Sequence, residues 1–223
     1  MTPLRLSPED DLRPLVRALR AGESAVLPTD TVYGLACAAD LEDACERTLA
    51  LKGRDLSKPT SILGASLSIV FTRVLADLRG RPVVQAKRLL PGPVTVIVPN
   101  PSGIFPWLCG DDRSRIGVRV PELLPRVGRA IDRVRVVAAT SANLAGQPDP
   151  VTIGEVPDTI LSQVSVAIDA GRAPAGKPST VVDLTGPEPV ILREGALSEQ
   201  DVHEILELGQ REWRAQRRPR PLD

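Results

Sequence analysis

Apolar residues at helical spacing open the chain. Leu12, Leu15, Val16 and Leu19 recur on one face behind Pro8-Glu9-Asp10-Asp11 and stop at Gly22, which predicts an amphipathic helix. Ala25-Val26-Leu27 is a short apolar run ended by Pro28, the pattern of a strand. Residues 40–52 return to helical spacing, with Asp40 as the N-cap and Gly53 just past the end. Thr60 to Leu63 is the next predicted strand, and two helices follow near 66–79 and 82–90. Pro93–Val98 and Arg115–Val120 read as strands on either side of a Pro/Gly-rich loop. Val134–Ala138, Val164–Ile168, Thr180–Leu184 and Val190–Arg193 continue a strand-rich second half. The last helix runs from about Ser198 to Ala215, where Ser198 caps and Asp201 takes the acidic place of a weak capping box. Strands interleave with helices without strict alternation. The expected fold class is therefore α/β: a twisted mixed β-sheet with flanking helices, in one domain over residues 1–215. Residues 216–223 contain Arg217-Arg218-Pro219-Arg220-Pro221 and read as a basic, disordered tail.

Composition narrows the function. Lys plus Arg and Asp plus Glu are 28 each, so no overall field draws nucleic acid or anionic membrane, and any anion site must be local. Aromatic residues at 2% cannot build a stacking platform for single-stranded nucleic acid. A double-stranded RNA binder would want a basic stripe, and none is evident along the chain. The tail's charge could touch RNA weakly, but a solvated tail is the favoured reading. Cys37, Cys45 and Cys109 lack C-x-x-C spacing and His203 is the sole histidine, so no metal site is expected. An odd number of cysteines without a signal peptide points to the reducing cytoplasm. No apolar run approaches the ~20 residues that span a bilayer, so no membrane partner is expected.

The common catalytic clusters are missing. His203 lies in a terminal helix pattern far from any candidate nucleophile, which speaks against a Ser-His-Asp or Cys-His arrangement. Gly171-Arg172-Ala173-Pro174-Ala175-Gly176-Lys177 approaches a P-loop, but Pro178 stands where Ser or Thr would hold magnesium, and a strand pattern follows instead of a helix. What remains is a set of hydroxyls and cations at predicted strand ends and loops. Thr29, Thr31 and Tyr33 follow one strand; Lys52-Gly53-Arg54 ends a helix, with Ser57-Lys58-Pro59 after it. Ser141 and Asn143 follow another strand, Lys177, Ser179 and Thr180 open a third, and Arg193 closes a fourth. Singly, each has a plain structural reading: Lys52 complements a helix C-terminus, worth about 0.3–1 kcal/mol, and Ser141 and Asn143 form a turn. Together they describe a site that binds polyanions through Lys, Arg and hydroxyl donors.

Seven strings also occur in an order that resembles the threonylcarbamoyl-AMP synthase (YrdC-like) family, from about Ala18 to Gly195. They are Pro28-Thr29-Asp30-Thr31-Val32-Tyr33-Gly34-Leu35, Lys52-Gly53-Arg54, Leu90-Pro91-Gly92-Pro93-Val94-Thr95, Val118-Arg119-Val120-Pro121, Ser141-Ala142-Asn143-Leu144-Ala145-Gly146, Ser179-Thr180-Val181-Val182-Asp183 and Arg193-Glu194-Gly195. The resemblance is to the short, single-domain members. It implies a mixed sheet around a large concave cavity. It also implies a reaction in which L-threonine and bicarbonate form a carbamate that attacks the α-phosphate of ATP and releases pyrophosphate. The product would pass to a tRNA threonylcarbamoyl-transferase machinery. By this resemblance Lys52 and Arg54 are catalytic; Arg54, Lys58, Ser141, Asn143 and Arg193 bind ATP; and Thr31, Arg119 and Ser179 bind threonine, Arg119 at its carboxylate. Magnesium is expected to arrive on ATP. Ala139 and Asp149 stand at contact positions where members often carry hydroxyls. Pro59-Thr60 and Leu63 replace a Pro-Leu pair and a histidine common near the threonine. Two other readings are a non-synthase paralogue acting as a nucleotide- or RNA-binding module, and a carbamoyl-adenylate-forming enzyme of metal-centre maturation. Intact Lys52-Gly53-Arg54 and Ser141-Ala142-Asn143 weigh against the first, and the lack of zinc-finger segments against the second.

Overall fold

The computed structural model describes residues 2–55 and 57–217. In chain order the elements are β1 (Leu4–Leu6), α1 (Arg13–Arg20), β2 (Ala25–Leu27), β3 (Gly34–Ala38), α2 (Glu42–Leu51), β4 (Ser61–Gly64), α3 (Leu67–Arg73), α4 (Arg81–Leu89) and β5 (Val94–Pro99). They continue with β6 (Arg115–Arg119), α5 (Pro125–Val134), β7 (Val136–Ser141), α6 (Asp158–Leu161), β8 (Val166–Ile168), β9 (Thr180–Asp183), β10 (Val190–Arg193), α7 (Glu199–Leu208) and α8 (Gln210–Arg217). The strands form one mixed sheet in the order β1-β8-β2-β3-β7-β4-β6-β5-β9-β10. The expected α/β class is the one observed.

Alternation along the central strands assigns their faces. Ile62, Val118, Val96 and Val182 are successive register partners across β4, β6, β5 and β9. All four are buried in a core that α2, α4 and α7 close with Ala44, Cys45, Leu89, Val202 and Ile205. Each such aliphatic side chain withdrawn from water contributes about 1.5–3 kcal/mol. Their neighbours Leu63, Arg119, Thr95 and Val181 fall on the opposite face, since successive side chains alternate across a strand. There the sheet is left open as a cavity over β4–β9, while α1 and α5 cover the β8-β2-β3-β7 part with Leu15, Leu19, Val127 and Ile131.

Several elements differ from the sequence reading. β1, β3, α5 and α6 were not foreseen. Asp40 is not the N-cap of α2: Leu41 holds that position without a side-chain bond, and Asp40 instead accepts from Arg73 at 2.9 Å. The helix expected over 66–79 ends at Arg73. The single terminal helix is two, divided at Gly209, whose φ of 81° breaks the helical path. The capping box is present: Ser198 Oγ accepts from the Asp201 amide at 3.1 Å, and Asp201 Oδ2 from the Ser198 amide at 3.0 Å. Of the expected basic tail, residues 216 and 217 finish α8, and 218–223 lie outside the described residues. After Gly171–Lys177 the chain enters β9 directly, so no helix N-terminus faces that loop. Among the described residues no helix is long and apolar enough to cross a membrane.

Candidate active site

The cavity encloses about 500 Å³, within the range of small-molecule sites. Its floor is the open face of the central strands, with Leu63, Arg119, Thr95, Ile97 and Val181; Arg54, Ser141, Asp149, Ser179 and Arg193 form its sides.

Lys52 is the C-cap of α2. Gly53 follows with φ 65°, a left-handed turn that glycine adopts without strain, and it carries Arg54 out to the cavity. Lys52 is 4% exposed. Its ammonium donates to Ser141 O at 2.7 Å, to Ser141 Oγ at 3.0 Å and to Asn143 Oδ1. Ser141 Oγ donates to the same Asn143 oxygen at 2.7 Å. The Lys-Gly-Arg turn and the end of β7 are thus one cluster, tied again by the Ala145 amide donating to Lys52 O at 2.9 Å. Burial pushes the Lys52 pKa down to about 8; Asp149 opposes that shift and Arg54 adds to it. Lys52 and Asn143 stand behind Ser141, which itself reaches the cavity wall.

Arg54 is half-buried. Its Nη2 donates to Pro59 O at 2.8 Å, while its Nε is a buried donor with no partner. Burial, and then the charge of Arg193, lower its pKa. Thr60 Oγ1 and Arg119 Nε are also buried without partners, and all three residues line the cavity. Leaving such a buried group unpaired costs about 1–3 kcal/mol. The segment from Ser57 to Thr60 is clamped by the neighbouring loop: the Thr60 amide donates to Leu108 O at 2.9 Å and the Asp111 amide to Ser57 O at 3.1 Å.

Arg119 sits between cavity and core. Its Nη2 donates to Asp30 Oδ1 at 2.5 Å and to Thr31 Oγ1 at 2.5 Å. Asp30 Oδ2 accepts from the Glu122 amide at 3.1 Å. Burial lowers the Arg119 pKa, Asp30 works against it, and Arg193 works with it. Ser179 Oγ shares a hydrogen bond of 2.8 Å with Thr95 Oγ1, and Arg193 Nη2 donates to Ser179 O at 2.8 Å. Of the sequence-derived residues, the fold therefore brings Arg54, Ser141, Arg193, Arg119 and Ser179 onto the wall. Lys52, Asn143 and Thr31 support them from behind, and Lys58 is exposed on the 57–60 segment. Sequence reasoning gave no role to Asp30, Thr95 or Thr60. Asp30 and Arg119 are 89 positions apart, and only the sheet joins them.

Comparison with known proteins gives this arrangement a family. The Sua5_yciO_yrdC model, described as "Telomere recombination", matches residues 17–195. The chain belongs to the Sua5/YciO/YrdC family. It is 33% identical over 191 residues to the threonylcarbamoyl-AMP synthase of Pyrococcus abyssi, covering 84% of this chain and 55% of that protein. The chain thus spans about half the length of that relative. The crystal structure of P. abyssi Sua5 complexed with L-threonine superposes with a TM-score of 0.80 at 29% identity, covering 92% of this chain and 61% of the other. E. coli YciO superposes with a TM-score of 0.74 at 26% identity, and there 96% of the neighbour is covered. The Sua5/YciO/YrdC fold accounts for the mixed ten-stranded sheet with flanking helices and for the concave face on which the cations gather.

Proposed function

We propose that the chain is an L-threonylcarbamoyladenylate synthase, making threonylcarbamoyl-AMP and pyrophosphate from L-threonine, bicarbonate and ATP for modification of tRNA. The observation that carries this reading is the convergence of Arg54, Arg193 and Arg119 on one cavity in a chain of zero net charge, with Lys52 buried beside it. Relatives about 30% identical bear the synthase name, and one was crystallised with L-threonine.

In this reading a carbamate oxygen attacks the α-phosphorus of ATP and pyrophosphate leaves. Such a step asks the protein for alignment and charge neutralisation more than for a nucleophile. Arg193, whose charge adds to burial in lowering the Arg54 pKa, would join Arg54 on a triphosphate, which relieves that repulsion. Lys52 would hold Ser141 and Asn143 in place and add positive charge behind them, and Lys58 would close on the phosphates from its exposed segment. Ser179 and Thr31 would frame the amino acid, with Arg119 at its carboxylate. A donor preorganised at developing charge is worth about 2.7–4 kcal/mol, so few are needed. Among the described residues no three His, Cys, Asp or Glu side chains form a metal-holding group. Mg²⁺ would arrive on ATP, with phosphate oxygens as its main ligands. Three free, buried cysteines are consistent with a cytoplasmic site of action, and a tRNA threonylcarbamoyl-transferase would consume the product.

The test is pyrophosphate release from ATP by purified protein, with and without L-threonine and bicarbonate. The synthase reading expects both to be required. Equal turnover without them would leave a nucleotide- or RNA-binding module of the same fold as the better account.

A further inference from the structure

Outside the cavity the fold assembles a cationic surface that no stretch of sequence displays. α1 carries Arg13, Arg17 and Arg20 at i, i+4 and i+7, and α5 carries Arg126, Arg129 and Arg133 at i, i+3 and i+7. Those spacings place each set on one helical face, and all six side chains are exposed. The helices pack together over one core. At one end Arg126 Nη1 donates to Glu9 O at 2.7 Å, just before α1 begins. At the other, Arg20 Nη2 donates to Arg133 O at 2.5 Å. The two helices therefore run side by side in the same direction, and their arginines form two rows. Each row is about 10 Å long at 1.5 Å per residue, and packed helix axes lie about 8–10 Å apart.

Charge is segregated along these rows. Near the N-terminal ends Asp11 pairs with Arg13 at 2.8 Å and Glu9 with Arg126 at 3.2 Å. Beyond them, among the described residues, no hydrogen bond or ion pair engages the guanidinium groups of Arg17, Arg129 or Arg133, although Asp11 feels the charge of Arg17; α1 contains no acidic residue and α5 a single one, Asp132. Arg135 extends the cluster from the end of α5 at φ 78°, a left-handed conformation where glycine would be relaxed. By contrast α7 carries four acidic residues and no Lys or Arg.

We propose that the α1/α5 arginine face is a docking surface for folded RNA, gripping the phosphate backbone without reading sequence. Guanidinium forks match phosphate oxygens, and backbone neutralisation needs no aromatic platform, which this chain lacks. A lipid surface suits the face poorly. Interfacial helices need an apolar side to bury in the bilayer, and here the apolar sides of both helices are spent in the core. The proposal does not depend on the synthase reading.

The test measures binding of a fluorescent, unmodified tRNA transcript by anisotropy across a salt series. The wild type is compared with the triple variant Arg17→Ala/Arg129→Ala/Arg133→Ala, with the corresponding lysine triple, and with Arg54→Ala. The wild type should bind, and the alanine triple should bind at least about tenfold more weakly at low salt. Its log–log salt slope should fall by about two to three, close to 0.9 for each phosphate that the variant no longer neutralises. The lysine triple should keep the wild-type slope, and all variants should melt with the wild type. The proposal would be overturned by no tRNA binding, by an alanine triple that binds as the wild type does, by a lysine triple with the alanine slope, or by capture of phosphatidylserine vesicles that displaces the RNA. Loss of binding in Arg54→Ala alone would move the RNA into the cavity and equally refute this surface.

Discussion

Replacing Lys52 with methionine should remove activity and, at neutral pH, leave the fold no weaker. Lys52 is 4% exposed, and burial takes its pKa from the ordinary 10.5 to about 8. The folded protein therefore holds this proton less tightly than the unfolded chain does. The resulting penalty is present below pH 8 and fades as pH rises toward 10.5. At about 1.36 kcal/mol per pKa unit the penalty is about 3 kcal/mol at pH 7, and about 2.5 kcal/mol of it is recovered by pH 10. Methionine keeps most of the side-chain volume and carries no proton. It strands Ser141 O, at about 1–3 kcal/mol, whereas Ser141 Oγ and Asn143 retain each other at 2.7 Å. The variant should thus range from equally stable to about 2 kcal/mol more stable at pH 7, with its advantage shrinking as pH rises. Urea unfolding of both proteins at pH 7, 8.5 and 10 measures this directly. Parallel pH dependences, within about 0.5 kcal/mol, would show that Lys52 is not a charge held against desolvation.

Other consequences concern the frame of the cavity. Removing one member of a buried ion pair strands the other, so Asp30→Ala should cost about 3–5 kcal/mol, a fall of roughly 6–20 °C in melting temperature for a chain of this size; a shift within 2 °C would contradict the pairing. Gly110 has φ 65°, and an added Cβ would stand 2.3 Å from Ser57 O. Gly110→Ala should therefore push the 57–60 segment away and loosen Arg54 from Pro59 O, raising KM for ATP more than it lowers the melting temperature; an unchanged KM would separate that clamp from nucleotide binding. Arg54→Ala should reduce pyrophosphate release at least tenfold without unfolding the protein, and near wild-type turnover would remove it from the site. Leu63 is 2% exposed and offers no polar atom to a substrate hydroxyl, so valine should compete with threonine within about tenfold; strict rejection of valine would place the selecting group elsewhere.

What the sequence disclosed follows from its physics. Strands rich in Val and Ile, such as β5, β6 and β9, announce themselves by composition. β3 reads Gly34-Leu35-Ala36-Cys37-Ala38, without a β-branched residue, yet lies between β2 and β7. All five of its residues are buried, so packing between those neighbours rather than strand propensity fixes it. α5 begins at a proline, holds Gly128 and is punctuated by arginines, so its apolar stripe is broken to the eye although Val127, Ala130, Ile131 and Val134 are buried. Local rules with two partners close in sequence, such as the Ser198–Asp201 box, were legible. Partnerships made by the tertiary fold were not: Lys52 with Asn143, Arg119 with Asp30, and the two arginine rows all join residues some 90 or more positions apart.

The central claim is that one cavity joins a carbamate made from threonine and bicarbonate to the α-phosphate of ATP. Incubating the protein with ATP, L-threonine and ¹³C-bicarbonate and analysing the quenched mixture by mass spectrometry tests this directly. The account predicts an adenylate that carries both threonine and the ¹³C label, absent when any one substrate is withheld and absent with Arg54→Ala. Pyrophosphate released without a labelled adenylate, or an adenylate of threonine without the label, would contradict it.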